Sequence, residues 1–294
     1  MTAHDLKFAY RARSQTAPTA DAFTNMIPST FFFLFSQLGV GMLICLLFIS
    51  PRVIGNSFFK FASLTAAILM GVVLGFDFMF PSPYRSSHTA VILLLISTVL
   101  TVLYHRVVDV KKYTAALWLL IAACTTGLVS IVMDSLDFTA LMSLSGWEHA
   151  LLAVHHVAGT AVLGSVMLAM VFGHWYLVIP GLSITHLKRL AKVLIASILL
   201  RTATILFSFA VIQLKLSVPF SRVLSEFMVE EALFFWPRIL FGVVVPIILA
   251  GMIWNTIQLK HTQAATGLLY LAVVAMLFGE FFSKFLLFTA KVAI

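Results

Sequence analysis

The sequence has very few charged residues and very few cysteines. Asp, Glu, Lys and Arg make up 10% of the 294 residues, whereas a soluble domain carries about 25%. Apolar residues make up 61% of the chain, so the scarcity of charge excludes an ordinary soluble globular protein. The two cysteines, Cys45 and Cys124, lie in separate apolar runs and form no CxxC motif. We therefore interpret them as small core residues rather than as a disulfide or a metal site.

Long apolar runs take up most of the chain instead. A helix needs roughly 20 apolar residues to cross the hydrocarbon core of a bilayer, and eight runs meet that length. The predicted spans are residues 28–50, 57–80, 87–105, 113–134, 149–176, 189–213, 235–257 and 264–289. The expected fold class is all-α: a polytopic membrane protein with about eight transmembrane helices in a bundle over residues 28–294, after a polar N-terminal tail at residues 1–27.

Proline and polar residues separate the predicted spans. Helix stops are indicated at Ser50-Pro51, Pro81-Ser82-Pro83 and Pro180-Gly181. The longest predicted loops are residues 135–148 and 214–234. The second loop contains Glu226, Glu230 and Glu231, for which we expect a short surface helix.

The net charge of +8 does not indicate nucleic-acid binding, because Lys and Arg stand mostly at the ends of apolar runs. Basic residues are concentrated in the loops that follow the odd-numbered spans: Arg52, Lys60, Arg106, Lys111, Lys112, Lys188, Arg189, Lys192 and Lys260. Cytoplasmic loops carry the excess of Lys and Arg in membrane proteins. We therefore expect these loops in the cytoplasm and both termini outside, in the inner membrane of a bacterium.

Ionisable side chains inside a membrane are costly, so each of them is a candidate functional residue. The set is Asp77, Arg201, Glu280 and Lys284, with His88, His105, His155, His156 and His174 nearer the helix ends. Glu280 and Lys284 are one helical turn apart and are expected to pair. Arg201 lies deep in its span and is expected to have a polar partner. The alternative to a functional role is a structural one: Glu280 and Lys284 would form an internal ion pair, and Arg201 would hold neighbouring helices together.

The histidines form one geometric pattern. His88 and His105 are 17 residues apart in the third span, and His156 and His174 are 18 apart in the fifth, which runs in the same direction. These spacings are roughly 26 and 27 Å along a helix. Pairs of His88 with His156 and of His105 with His174 could therefore ligate the iron of b-type haem from opposite sides. The alternative is that these histidines simply lie at the membrane interface.

The last two spans resemble a known family. Arg238-Ile-Leu-Phe-Gly opens the seventh span, and the eighth contains Met276-Leu-Phe-Gly-Glu280-Phe-Phe-Ser-Lys284. With Phe35-Ser-Gln37-Leu-Gly-Val-Gly41 in the first span, these segments resemble the NrfD-like membrane anchors of dimethyl sulfoxide reductase and polysulfide reductase. The resemblance implies a quinone-interacting subunit that exchanges electrons with an extracytoplasmic iron–sulfur, molybdopterin or multihaem cytochrome subunit.

The sequence therefore favours a quinone- or quinol-binding subunit of a respiratory electron-transfer complex. Glu280, His88 and Asp77 are the candidate catalytic residues. The ends of the second, third, fifth and eighth spans must converge for them to act together with His155 and His156. The candidate cofactor-binding residues are His155, His156, His174, His105, Arg201 and Lys284, with His156 and His174 as the alternative haem ligands. Other hypotheses are a proton-coupled transporter built around Arg201 and Glu280, and a non-catalytic assembly subunit.

Overall fold

The computed structural model describes residues 20–80, 87–141, 146–179, 182–216, 228–229 and 232–290. Among these residues, eight helices are long and apolar enough to cross a membrane, which confirms the predicted all-α polytopic fold. They are α1 (Ala20–Leu46), α2 (Asn56–Met79), α3 (His88–Asp109), α4 (Tyr113–Leu141), α5 (Gly146–Val178), α6 (Ile184–Leu216), α7 (Ala232–Gln258) and α8 (Thr262–Ala290).

Several helices extend beyond the predicted spans. Helix α1 begins at Ala20, inside the predicted tail, and α4 continues to Leu141, so the predicted loop at 135–148 is largely helical. A helix does not have to end at the edge of the hydrocarbon, because its polar residues can continue into the headgroup region. The Ser50-Pro51 stop is confirmed by a single helical turn over Pro51–Ile54 between α1 and α2. The tail at 1–19, the stops at 81–83 and 180–181, and the segment with Glu226, Glu230 and Glu231 lie outside the described residues.

The eight helices are arranged as two four-helix groups. In the first group α1 packs on α2, α2 on α3, α3 on α4 and α4 on α1; in the second group α5, α6, α7 and α8 close a similar ring. Helices α1 and α5 form the main contact between the two groups, and α4 also contacts α5 and α8 contacts α1. The most buried helices are α1, α8 and α5, whereas α2, α3 and α7 expose most of their apolar surface. The outward-facing apolar side chains are those expected to contact lipid.

A small-residue contact sets the distance between α1 and α5. The backbone at Gly41 lies directly against the backbone at Gly164 and Thr160, so a side chain at either glycine would collide with main-chain atoms. Small residues allow this close approach of helices in membranes. The contact joins the two four-helix groups at the centre of the molecule.

Replacing Gly164 by Ala is expected to destabilise the protein by about 1–3 kcal/mol, because overpacking forces the two backbones apart. Gly71→Ala is the matched control, since a methyl group there would have no heavy atom within 4 Å. Thermal unfolding of the two purified variants in the same detergent measures the difference. Equal midpoints for both variants would contradict the close-contact interpretation.

Candidate functional site

A cluster of charged and polar side chains is buried inside the second helix group. We call it the polar cluster and define it by His155, His156, Arg201, Arg238, Glu280, Ser283 and Lys284. Helix α5 supplies the histidines, α6 and α7 supply the arginines, and α8 supplies the last three residues. Every member is at most 5% exposed. Because burying such groups is costly, contacts within the protein must compensate for the lost water.

Arg201 and Glu280 form the centre of the polar cluster. The Arg201 Nε donates to Glu280 Oε1 at 2.7 Å, and Nη2 donates to Oε2 at 2.9 Å. This two-bond arrangement is the strongest geometry available to a guanidinium and a carboxylate. Arg201 Nη2 also donates to Ser283 Oγ at 3.2 Å. The partner that the sequence requires for Arg201 is therefore a carboxylate on α8.

His155 is held by hydrogen bonds on both sides of its ring. Arg201 Nη1 lies 2.7 Å from His155 Nδ1 and must be the donor, because a guanidinium has no acceptor. On the other side, His155 Nε2 contacts the Thr204 carbonyl oxygen at 3.1 Å and the Ser208 Oγ. A carbonyl only accepts, so the proton of the neutral ring belongs on Nε2. His155 thus positions Arg201 and has no ring nitrogen left for a ligand.

Two further cations approach the same carboxylate from other directions. Arg238 Nη1 lies 3.4 Å from Glu280 Oε1, and Lys284 Nζ lies 3.9 Å from Glu280 Oε2. The expected pairing of Glu280 with Lys284 is therefore present, but at a longer distance than the Arg201 pair. Lys284 Nζ also lies 5.5 Å from the centre of the Phe33 ring, a cation–π contact. Lys284 is the least tightly bonded cation of the three within the described residues.

A small cavity lies beside Lys284 and His156. Its volume is about 10 Å³, and Leu152 and Leu287 are the apolar residues in its wall. This is room for roughly one water. His156 is 1% exposed, and neither of its ring nitrogens has a hydrogen-bond partner among the described residues. Its ring packs on Phe33, with centroids 4.4 Å apart. His156 and Lys284 therefore bring unused hydrogen-bonding capacity to the cavity wall.

Gly159 makes room for the polar cluster on α5. A methyl group at this position would lie 3.0 Å from Glu280 Oε2 and 3.3 Å from Gln37 Oε1. Gln37 on α1 donates through Nε2 to the His156 carbonyl oxygen at 3.1 Å, which ties α1 to the histidine pair. A larger residue at this position would therefore crowd the side-chain oxygens of Glu280 and Gln37.

The structure separates the other predicted site residues from the polar cluster. His88 is exposed at the start of α3, which packs mainly against α2 and α4. Asp77 is buried on α2, outside the ring of helices that holds the cluster. Because α2 and α3 belong to the first helix group, the expected convergence of four helix ends is replaced by a site on α5, α6, α7 and α8.

The four histidines of the haem hypothesis have other neighbours in the described structure. His105 Nδ1 lies 3.0 Å from the Lys60 carbonyl oxygen, and exposed His174 lies 3.3 Å from the Tyr270 hydroxyl. His156 faces Phe33 rather than a second imidazole. Among the described residues no group of three or more metal-binding side chains is placed to hold a metal. These residues do not supply facing histidine pairs, and the haem hypothesis stays a prediction.

Arg238 is the charged residue of the polar cluster that sequence reasoning did not include among the candidates. The predicted seventh span began at residue 235, which put Arg238 near the membrane surface, whereas α7 begins at Ala232 and buries the side chain. A π-helical segment over Leu240–Val244 follows it, and Gly242 lies against the Arg238 guanidinium. π segments occur frequently at functional sites. In the sequence, an arginine followed by a glycine within an apolar run could have indicated that Arg238 is buried.

The fold and the polar cluster define a class: multi-pass α-helical membrane proteins with a buried network of ion pairs. No protein-family model and no curated protein matches the chain.

Proposed function

We propose that the chain is a quinone- or quinol-binding membrane subunit of an electron-transfer complex, with the polar cluster as its proton-handling site. The observation that carries the proposal is the cavity with His156 and Lys284 in its wall. Quinol chemistry needs an apolar environment, a hydrogen-bond donor for the ring oxygens and a group that exchanges protons. The Phe33 ring, which packs on His156 and lies near Lys284, and the side chains of Leu152 and Leu287 supply the apolar part.

The residues have different roles in this proposal. Lys284 donates a hydrogen bond to a ring oxygen, and His156 accepts a proton, for which a ring nitrogen without a partner is suited. Arg201 and Glu280 hold the fixed charges around the cavity, and His155 positions Arg201. Oxidation of a quinol releases two protons and two electrons; the electrons pass to a redox group of a partner subunit. Leu152 and Leu287 must move to admit the ring, because the cavity is otherwise too small.

The partner is proposed to lie outside the cytoplasm, as an iron–sulfur, molybdopterin or multihaem subunit of the NrfD-like type of complex. The cluster lies in the half of the molecule that contains the start of α1 and the end of α8. The charge bias of the loops favours this half as the extracytoplasmic one in a bacterial inner membrane.

The orientation is expected to show in cysteine labelling. Cys45 and Cys124 are buried and need not be removed. Lys112→Cys, between α3 and α4, is expected to be protected from an impermeant maleimide in intact cells, whereas Gly146→Cys, at the start of α5, is expected to react. Permeabilised cells, in which both should react, are the control. The opposite pattern would reverse the proposed orientation.

Quinone binding is expected to be detectable on the purified chain. A photoreactive short-chain quinone should label peptides of α1, α5 and α8, and labelling there should be lost in Lys284→Met and His156→Leu. His174→Leu is the matched control, because its exposed side chain bonds Tyr270 instead. Labelling of these helices that is equal in all variants would remove the polar cluster as the quinone site.

A proton-coupled transporter is the second candidate, and the irregular α7 favours it. The π segment lies between Pro237 and Pro246, next to buried Arg238. Transporters often place substrate sites at interrupted helices. Proton uptake driven by a solute gradient in liposomes that contain only this chain would favour transport over quinol oxidation.

The haem alternative has a direct test. A reduced-minus-oxidised spectrum of the purified chain with a b-type haem band, lost in His156→Leu, would favour a cytochrome over a quinone-binding subunit.

A further inference from the structure

A second cavity lies in the first helix group, at the end that carries the connection between α1 and α2. Its volume is about 360 Å³, within the range of small-molecule sites. Residues from α1 to α4 form its walls, including Leu46, Phe59 and Leu120. None of the polar-cluster residues lines it, because those belong to α5–α8. The two cavities are therefore separate.

Four polar side chains line this cavity: Ser50, Arg52, Tyr104 and Tyr113. Tyr113 and Arg52 already have contacts. The Tyr113 hydroxyl donates to Asn56 Oδ1 at 3.1 Å, and the Arg52 guanidinium lies 5.5 Å from the centre of the Tyr113 ring. Tyr104 is only 2% exposed, and its hydroxyl forms no hydrogen bond with any described residue. Because Tyr104 lines the cavity, its hydroxyl can bond to a molecule that binds there. The Tyr104 hydroxyl in the cavity wall can thus donate a hydrogen bond to a ligand oxygen.

We propose that this cavity binds a neutral, ring-bearing amphiphile with a carbonyl oxygen at its buried end, of the quinone type. A lipid acyl chain would fill the apolar space but would offer no acceptor to the Tyr104 hydroxyl. A phosphate beside the Tyr104 hydroxyl would lose its hydration in exchange for a neutral donor. A carbonyl oxygen accepts from Tyr104, the ring packs on Phe59 and Tyr113, and Arg52 is exposed at the rim.

This inference does not rest on the proposed function, because different residues on different helices carry it. The ligand class overlaps, so the experiment must report the position of binding. Photolabelling of the purified full chain with the same photoreactive quinone achieves this, since peptides of α2–α4 report this cavity and peptides of α5–α8 report the polar cluster.

The decisive comparison is between two tyrosine variants. Tyr104→Phe keeps the ring and removes the hydroxyl. It is expected to raise the quinone concentration that half-saturates labelling of the α2–α4 peptides by about threefold to tenfold. Tyr270→Phe removes an exposed hydroxyl on α8 and is expected to leave this labelling unchanged. Lys284→Met is also expected to leave it unchanged, which separates this site from the proposed function.

Competition identifies the ligand class. Decylubiquinone is expected to compete for labelling of the α2–α4 peptides, and lysophosphatidylglycerol is not. Competition by the lysolipid alone would assign the cavity to membrane lipid and overturn the proposal. Equal effects of Tyr104→Phe and Tyr270→Phe, or no labelling of these peptides, would overturn it as well.

Discussion

Replacing Glu280 by Gln is expected to lower the free energy of unfolding by about 3–5 kcal/mol, the cost of leaving a buried charge without its partner. The carboxylate receives two hydrogen bonds from Arg201 and also lies within 4 Å of Arg238 and Lys284. Glutamine has almost the same shape but cannot balance three cations. Thermal and denaturant unfolding of the purified protein in detergent measures the loss.

Asp109→Asn is the matched control for this change. The Asp109 carboxylate also pairs with a cation, Lys60 Nζ at 2.9 Å, but its side chain is 59% exposed. Surface ion pairs contribute at most about 1 kcal/mol, so this variant is expected to unfold nearly as the original chain does. A double variant, Glu280→Gln with Arg201→Gln, should recover part of the loss, because it removes the uncompensated guanidinium. If Glu280→Gln destabilises no more than Asp109→Asn, the carboxylate is not the centre of the polar cluster.

The second large effect is expected on quinol-dependent electron transfer. In the complex purified through a tag on this chain, His156→Leu should reduce turnover by about 10²-fold or more, the contribution of a positioned proton-transfer group. Lys284→Met should also reduce turnover, because it removes the hydrogen-bond donor for the ring oxygen. Both side chains line the small cavity. The His156 ring nitrogens have no hydrogen-bond partner among the described residues, and Lys284 Nζ lies 3.9 Å from Glu280 Oε2. Steady-state reduction of an artificial acceptor by a short-chain quinol is the measurement.

Two controls separate chemistry from folding in that experiment. Lys284→Arg keeps a cationic donor and is expected to retain measurable turnover, whereas a purely structural role would make the bulkier side chain harmful. His88→Ala removes an exposed histidine on α3 and is expected to retain turnover. If the complex forms in every variant and His156→Leu turns over normally, the cavity has no role in proton transfer.

The sequence by itself determined the fold class and the number of membrane spans. Apolar runs of sufficient length are a local property, because the bilayer requires each helix to satisfy its own backbone hydrogen bonds. It also indicated that Arg201 needs a polar partner, because an ionisable side chain inside a membrane is costly. The four-residue spacing of Glu280 and Lys284 indicated that they share a helix face. Both inferences need only the sequence of one helix.

The tertiary structure decided which of these residues meet. Arg201 and Glu280 are 79 positions apart, and only the closed ring of α5–α8 brings them within hydrogen-bond distance. The same packing leaves His88 exposed on α3, whereas His156 is buried on α5. Which helices become neighbours depends on interhelical contacts such as that of Gly41 with Gly164. The length and charge of each span do not reveal these contacts. For the same reason the burial of Arg238, and the neutral tautomer of His155, could be derived only from the packed helices.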